Sequence, residues 1–116
     1  MAHPNWEKLV AAAKARIAEI APEEAKRLAE EGGVLIDVRE PHEFASGHIP
    51  GSVSFPLSTF DPATLPAAEG RRIVFSCAAG VRSVHAIQIA QAAGLPLREH
   101  YRGGFKDWLM WGGDVA

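Results

Sequence analysis

Residues 71–83 read Arg71-Arg72-Ile73-Val74-Phe75-Ser76-Cys77-Ala78-Ala79-Gly80-Val81-Arg82-Ser83, a change from strand pattern to helix pattern with a cysteine at the join. The first six residues read as a strand, with Ile73-Val74-Phe75 as its apolar centre. From Val81 to Ala93 an almost wholly apolar helix is expected through Val84, Ile87 and Ala90, closed by Gly94. A helix this apolar has to pack against a sheet.

Working outward, Val34-Leu35-Ile36-Asp37-Val38 is β-branched at three of its five positions and predicts a second buried strand with a carboxylate at its exit. The segment before it, Pro22 to about Glu31, predicts a helix with Glu23 and Glu24 near its positive end and a stop at Gly32-Gly33. Arg16 to Ile20 reads two ways, as the end of a preceding helix or as a short strand ahead of Pro22. Pro41 to Ala45 makes one or two helical turns, Gly47 to Gly51 is a loop, and Ser52 to Leu57 alternates as a strand. A short helix is expected between Ser58 and Gly70. Leu97 to His100 predicts a last strand, and Gly103-Gly104 precedes a helix carrying Phe105, Trp108, Leu109 and Trp111. Strands alternating with helices at this spacing imply an open, largely parallel α/β sheet covered on both faces. Residues 1–15, with Trp6, Leu9, Val10 and Ala13 at helical spacing, are expected as an extra N-terminal helix ahead of one domain over 16–116.

Length and composition agree. A chain of 116 residues is the size of one domain and buries roughly two-thirds of its unfolded surface. Twelve Lys and Arg against fourteen Asp and Glu leave a net charge of -2, no basic field for nucleic acid or an anionic membrane. No stretch approaches the ~18 apolar residues of a membrane span, and charges interrupt any secretory core near the start, so a cytoplasmic location is expected. The single cysteine and five scattered histidines, none at ligand spacing, predict neither a metal nor an internal disulfide.

In an open parallel sheet, chemistry gathers at the carboxyl ends of the strands, where helices point their amino termini. Cys77 lies there. Its exit through Ala78, Ala79 and Gly80 into Val81, Arg82 and Ser83 lets backbone N–H groups converge on the sulfur. Such a nest beside a helix amino terminus lowers a thiol pKa. The alternative is a cysteine that only fills space at the end of a core strand.

These residues resemble the rhodanese domain in its small single-domain sulfurtransferase form. The resemblance covers about Ile17 to Gly112. It rests on Leu35-Ile36-Asp37-Val38-Arg39-Glu40, Glu43-Phe44, Gly47-His48-Ile49-Pro50-Gly51-Ser52, the loop from Cys77 to Arg82, and Gly103-Gly104-Phe105 with Trp108. It implies a five-stranded parallel sheet with helices on both faces and a cysteine that carries sulfur as a persulfide. Related phosphatases and arsenate reductases have five residues between cysteine and arginine. Here four separate Cys77 from Arg82, which resembles the sulfurtransferases and leaves oxyanion chemistry as the alternative.

The resemblance implies a ping-pong transfer from thiosulfate or a thiol persulfide, through Cys77, to cyanide or a thiol, without a cofactor. A carrier role toward an acceptor protein uses the same steps, and a monomer is expected. Ala78 to Ser83 would form the anion-binding loop, with Asp37, Arg39 and Glu43 in support. Arg82 is expected to brace the loop against Glu43 or Asp37, and Arg39 to be a solvated loop arginine. His48 is read as a loop histidine bonded to backbone, His85 as a helix-surface or core residue, and Trp108 and Trp111 as helix-docking aromatics.

Overall fold

A computed structural model describes residues 17–65 and 70–116. The expected N-terminal helix over residues 1–15 lies outside them. The elements in chain order are β1 (Ala18–Ile20), α1 (Pro22–Glu30), β2 (Val34–Asp37), α2 (Pro41–Ser46), β3 (Val53–Ser54), 3₁₀ turns at Leu57–Thr59 and Pro62–Thr64, β4 (Ile73–Ser76), α3 (Val81–Ala92), β5 (Glu99–Tyr101) and α4 (Gly104–Trp111). The strands form one parallel sheet in the order β1-β5-β4-β2-β3. Of the segment ambiguous in sequence, Ala18–Ile20 form a strand, paired with β5 through Ala18↔Glu99 and Ile20↔Tyr101.

Alternation along each strand divides the core between the two faces of the sheet. Val34, Ile36, Ile73 and Phe75 pack with Ala86, Ile87 and Ala90 of α3. Leu35, Val74 and Tyr101 face the other way and pack with Ala25 and Leu28 of α1 and Trp108 of α4. Ile36, Val74, Phe75 and Ile87 are fully buried, each stabilising the fold by about 2 kcal/mol through burial of its side chain. These layers fix the central strand β4 and its neighbour β2, whose carboxyl ends lie in register at Asp37↔Ser76.

Two expectations shift. Ser52 to Leu57 yields only the two-residue edge strand Val53–Ser54, because Pro56 has no N–H for a ladder and the chain then curls into a 3₁₀ turn. Phe55 and Leu57 still donate to the carbonyls of Asp37 and Val38 at 2.8 and 3.0 Å, so this edge remains tied to β2. The last strand is Glu99–Tyr101 rather than Leu97–His100. Its register places His100 beside Phe75 on the α3 face and Tyr101 on the α1/α4 face.

Candidate active site

β4 ends at Ser76, whose carbonyl accepts from Val38 N–H at 2.8 Å. The chain then turns through Cys77, Ala78 and Ala79 to Gly80, which is left-handed at φ 87° and caps α3. A glycine cap has no side chain to occupy the first-turn N–H groups of the helix, so they stay available to another acceptor. For Ser83 N–H that acceptor is the Cys77 sulfur. Sγ also takes N–H groups from Ala79 and, at 3.0 Å, from Gly80, just ahead of the helix. Ser83 Oγ lies 3.5 Å from Sγ.

The loop's carbonyls turn the opposite way. Cys77 and Ala78 carbonyls accept from Phe105 and Lys106 N–H at 2.8 and 3.1 Å, at the start of α4. Two helix amino termini thus divide the loop, α3 supplying donors to the sulfur and α4 holding the carbonyls that would otherwise oppose an anion. Two glycines permit this packing. A Cβ on Gly104, at φ 65°, would lie 2.3 Å from the Cys77 carbonyl oxygen, and one on Gly80 would lie 2.4 Å from that of Arg102.

Cys77 is only 1% exposed. Burial by itself pushes its thiol pKa up, but hydrogen bonds from the Ser83 hydroxyl and the N–H groups of Ser83, Ala79 and Gly80 outweigh it, and the net direction is down. The sulfur therefore ionises more readily than an ordinary thiol. The rim above it is apolar, with Ala79 exposed and Val81 77% exposed.

Arg82 points to α2, where its guanidinium meets the Glu43 carboxylate at 2.6 and 3.0 Å. Glu43 also accepts from Glu40 N–H at 3.1 Å, tying the loop to the start of α2. The Arg82 hydrogen bond, opposed by burial and assisted by Glu40 N–H, holds the Glu43 carboxyl at about 2.

Arg39 corrects the expectation of a solvated side chain, for it is 4% exposed. Its guanidinium grips Asp37 at 2.7 and 3.0 Å, donates to the Gly47 carbonyl at 2.9 Å and lies 4.4 Å over the Phe105 ring. Burial is possible because those groups take up its donors and its charge. Asp37 and Arg39 therefore clamp β2, the Gly47 loop and α4 together, and the Asp37 oxygens are bonded to Arg39.

His48 bonds through Nδ1 to the Phe44 carbonyl at 2.9 Å and stacks on the Phe44 ring. His85 is exposed. His100, which sequence reasoning passed over, is buried with Nδ1 2.8 Å from Ser83 Oγ. The only signal for it was a histidine next to Tyr101 in a short inner strand. A cavity of 410 Å³ between Ala25, Ile49, Trp108 and Trp111 contains none of the loop residues. Among the described residues no cluster of three or more His, Cys, Asp or Glu side chains could hold a metal, and no helix is long and apolar enough to cross a membrane.

The family model for the rhodanese-like domain matches residues 21–110. An uncharacterised protein of Synechocystis is 40% identical over 94 residues, which are 80% of this chain and 52% of that protein, so the chain spans about half of that relative. The human thiosulfate:glutathione sulfurtransferase is 32% identical over 102 residues, covering 76% of this chain and 89% of the human one. A Rhodopseudomonas palustris structure, described as a protein of unknown function and possible tyrosine phosphatase, superposes with a TM-score of 0.74 at 29% identity over 95% of this chain and 92% of its own. With its sheet order and matched span in agreement, the chain belongs to the rhodanese-like domain family.

Proposed function

We propose that the protein is a sulfurtransferase that carries a sulfane sulfur as a persulfide on Cys77. The observation that carries this reading is the set of backbone N–H groups converging on Cys77 Sγ, with Gly80 at 3.0 Å. In the first half-reaction the thiolate attacks the outer sulfur of a donor. With thiosulfate, the S–S bond breaks, sulfite leaves with its electron pair, and Cys77–S–S⁻ remains. In the second, an acceptor thiolate or cyanide attacks the terminal sulfur, forms RSS⁻ or thiocyanate, and returns the Cys77 thiolate. Neither half needs an external oxidant or a proton donor. The loop amides stabilise the terminal sulfur's charge in a site shielded from water, where fixed donors act most strongly.

The partners on this reading are a small sulfur donor and a thiol, cyanide or protein acceptor. Arg82 and Arg39 are both paired with carboxylates, so neither offers a free cation to a dianion. The apolar rim and these paired arginines favour a thiol persulfide as donor over thiosulfate. The same pairing weighs against phosphatase chemistry, in which the loop arginine must bind the oxyanion: both Arg82 terminal nitrogens are taken up by Glu43.

Initial rates at varied donor and acceptor concentrations test this. Parallel double-reciprocal lines, abolished activity in Cys77→Ser and no hydrolysis of a phosphate monoester are expected. Transfer retained in Cys77→Ser would overturn it.

A further inference from the structure

Behind the Cys77 sulfur runs a buried file of three side chains. Sγ lies 3.5 Å from Ser83 Oγ, and Ser83 Oγ lies 2.8 Å from His100 Nδ1. Cys77, Ser83 and His100 are 1%, 0% and 2% exposed. A serine hydroxyl has one proton to give. If Nδ1 is an acceptor, that proton goes to His100, and the sulfur can bond Ser83 only as a neutral thiol donor. If Nδ1 carries a proton, it donates to Ser83 Oγ, and the serine's own proton is committed to the sulfur. Only the second arrangement suits a thiolate or a persulfide anion.

We propose that His100 is a positioning residue for the Cys77 sulfur: protonated on Nδ1, it donates to Ser83 Oγ and so aims the Ser83 hydroxyl proton at the thiolate and at the persulfide that replaces it. The proposal rests on the reading of Cys77 as the reacting sulfur. It adds a side-chain donor from the floor of the site to the backbone donors of the loop. The charged groups that act on His100 are Glu19 on β1, its partner in register, and Arg102 in the turn after β5. From β4 it faces Phe75, which is apolar, and from α3 it faces Ser83. Burial, partly countered by Glu19 and reinforced by Arg102, favours the neutral ring, which keeps the relay uncharged and leaves the negative charge on sulfur as the only one it has to serve.

Two measurements test this, neither requiring a sulfur donor. Long-range ¹H–¹⁵N correlation of the wild-type ring should show the proton on Nδ1; a neutral ring protonated only on Nε2 would overturn the proposal. The pH midpoint for alkylation of Cys77 by iodoacetamide should rise by about half a unit or more in His100→Leu, since a hydrogen bond to the charged form is weakened. His100→Asn, whose amide N–H stands where Nδ1–H stood, should restore it. In a Ser83→Ala background, His100→Leu should add no further rise. An unchanged midpoint in His100→Leu, or the same rise without Ser83, would overturn it. If His100→Leu does not fold, the wild-type ring's proton position decides. A failed persulfide assay would sink sulfur transfer and leave this relay standing, whereas an Nε2-protonated ring would do the reverse.

Discussion

Arg82 and Glu43, 39 residues apart in sequence, meet through two hydrogen bonds of 2.6 and 3.0 Å and tie the loop around Cys77 to the start of α2. The pair is bidentate but partly open to water, with side chains 32% and 27% exposed, so solvent screening limits it to about 1 kcal/mol. Arg82→Ala should lower Tm by about 4 °C and loosen the loop. An unchanged Tm with a raised donor KM would show that Arg82 binds the donor instead of bracing the loop.

The same pair sets an acid limit. The Glu43 carboxyl, held at about 2 against an ordinary 4.5, is depressed in the folded state, so its contribution is present above the unfolded value and lost as pH falls through the folded one. Stability in urea should therefore decline between about pH 4.5 and 2, and Glu43→Gln should lack this part of the decline. A variant with the full wild-type acid profile would show that the pair contributes nothing to stability.

Arg39 is the costlier arginine to remove. Arg39→Ala leaves the Asp37 carboxylate buried without its partner, and urea titration should show a loss of about 3 kcal/mol or more. A loss below about 1 kcal/mol is what a solvated surface arginine would give. Asp37→Asn combined with Arg39→Met should recover part of the loss, because the uncompensated charge is gone.

Gly104 makes the two-helix grip possible. Gly104→Ala would drive a Cβ to within 2.3 Å of the Cys77 carbonyl oxygen and force a left-handed alanine. Transfer should fall by at least about tenfold as loop donors shift off the sulfur, with far-UV circular dichroism retained. Full activity in this variant would mean that the α4 contact does not set the loop.

β2, β4, the helix after Cys77 and the cysteine's place at a strand end were legible because each rests on local pattern: the β-branched residues of 34–38, the apolar Ile73-Val74-Phe75, helical spacing from Val81, glycine breaks at 32–33 and 103–104. The pairing of Arg82 with a carboxylate was legible because a cation at a helix amino terminus calls for a carboxylate nearby. The choice of Glu43 over Asp37 was not, since it depends on Arg39 claiming Asp37 first. Arg39 itself was misread, because its burial is created by Gly47 and Phe105, which only the fold brings to it. His100 was invisible for the same reason: only the fold brings Ser83 of α3, 17 residues earlier, against its ring.

The central claim is that Cys77 holds transferable sulfur, and intact-protein mass spectrometry tests it most directly. After brief incubation with thiosulfate, or separately with glutathione persulfide, the protein should gain one sulfur atom on Cys77, more readily from the persulfide, and lose it to cyanide as thiocyanate. No gain from either donor, in protein whose thiol titrates as free, would contradict the account.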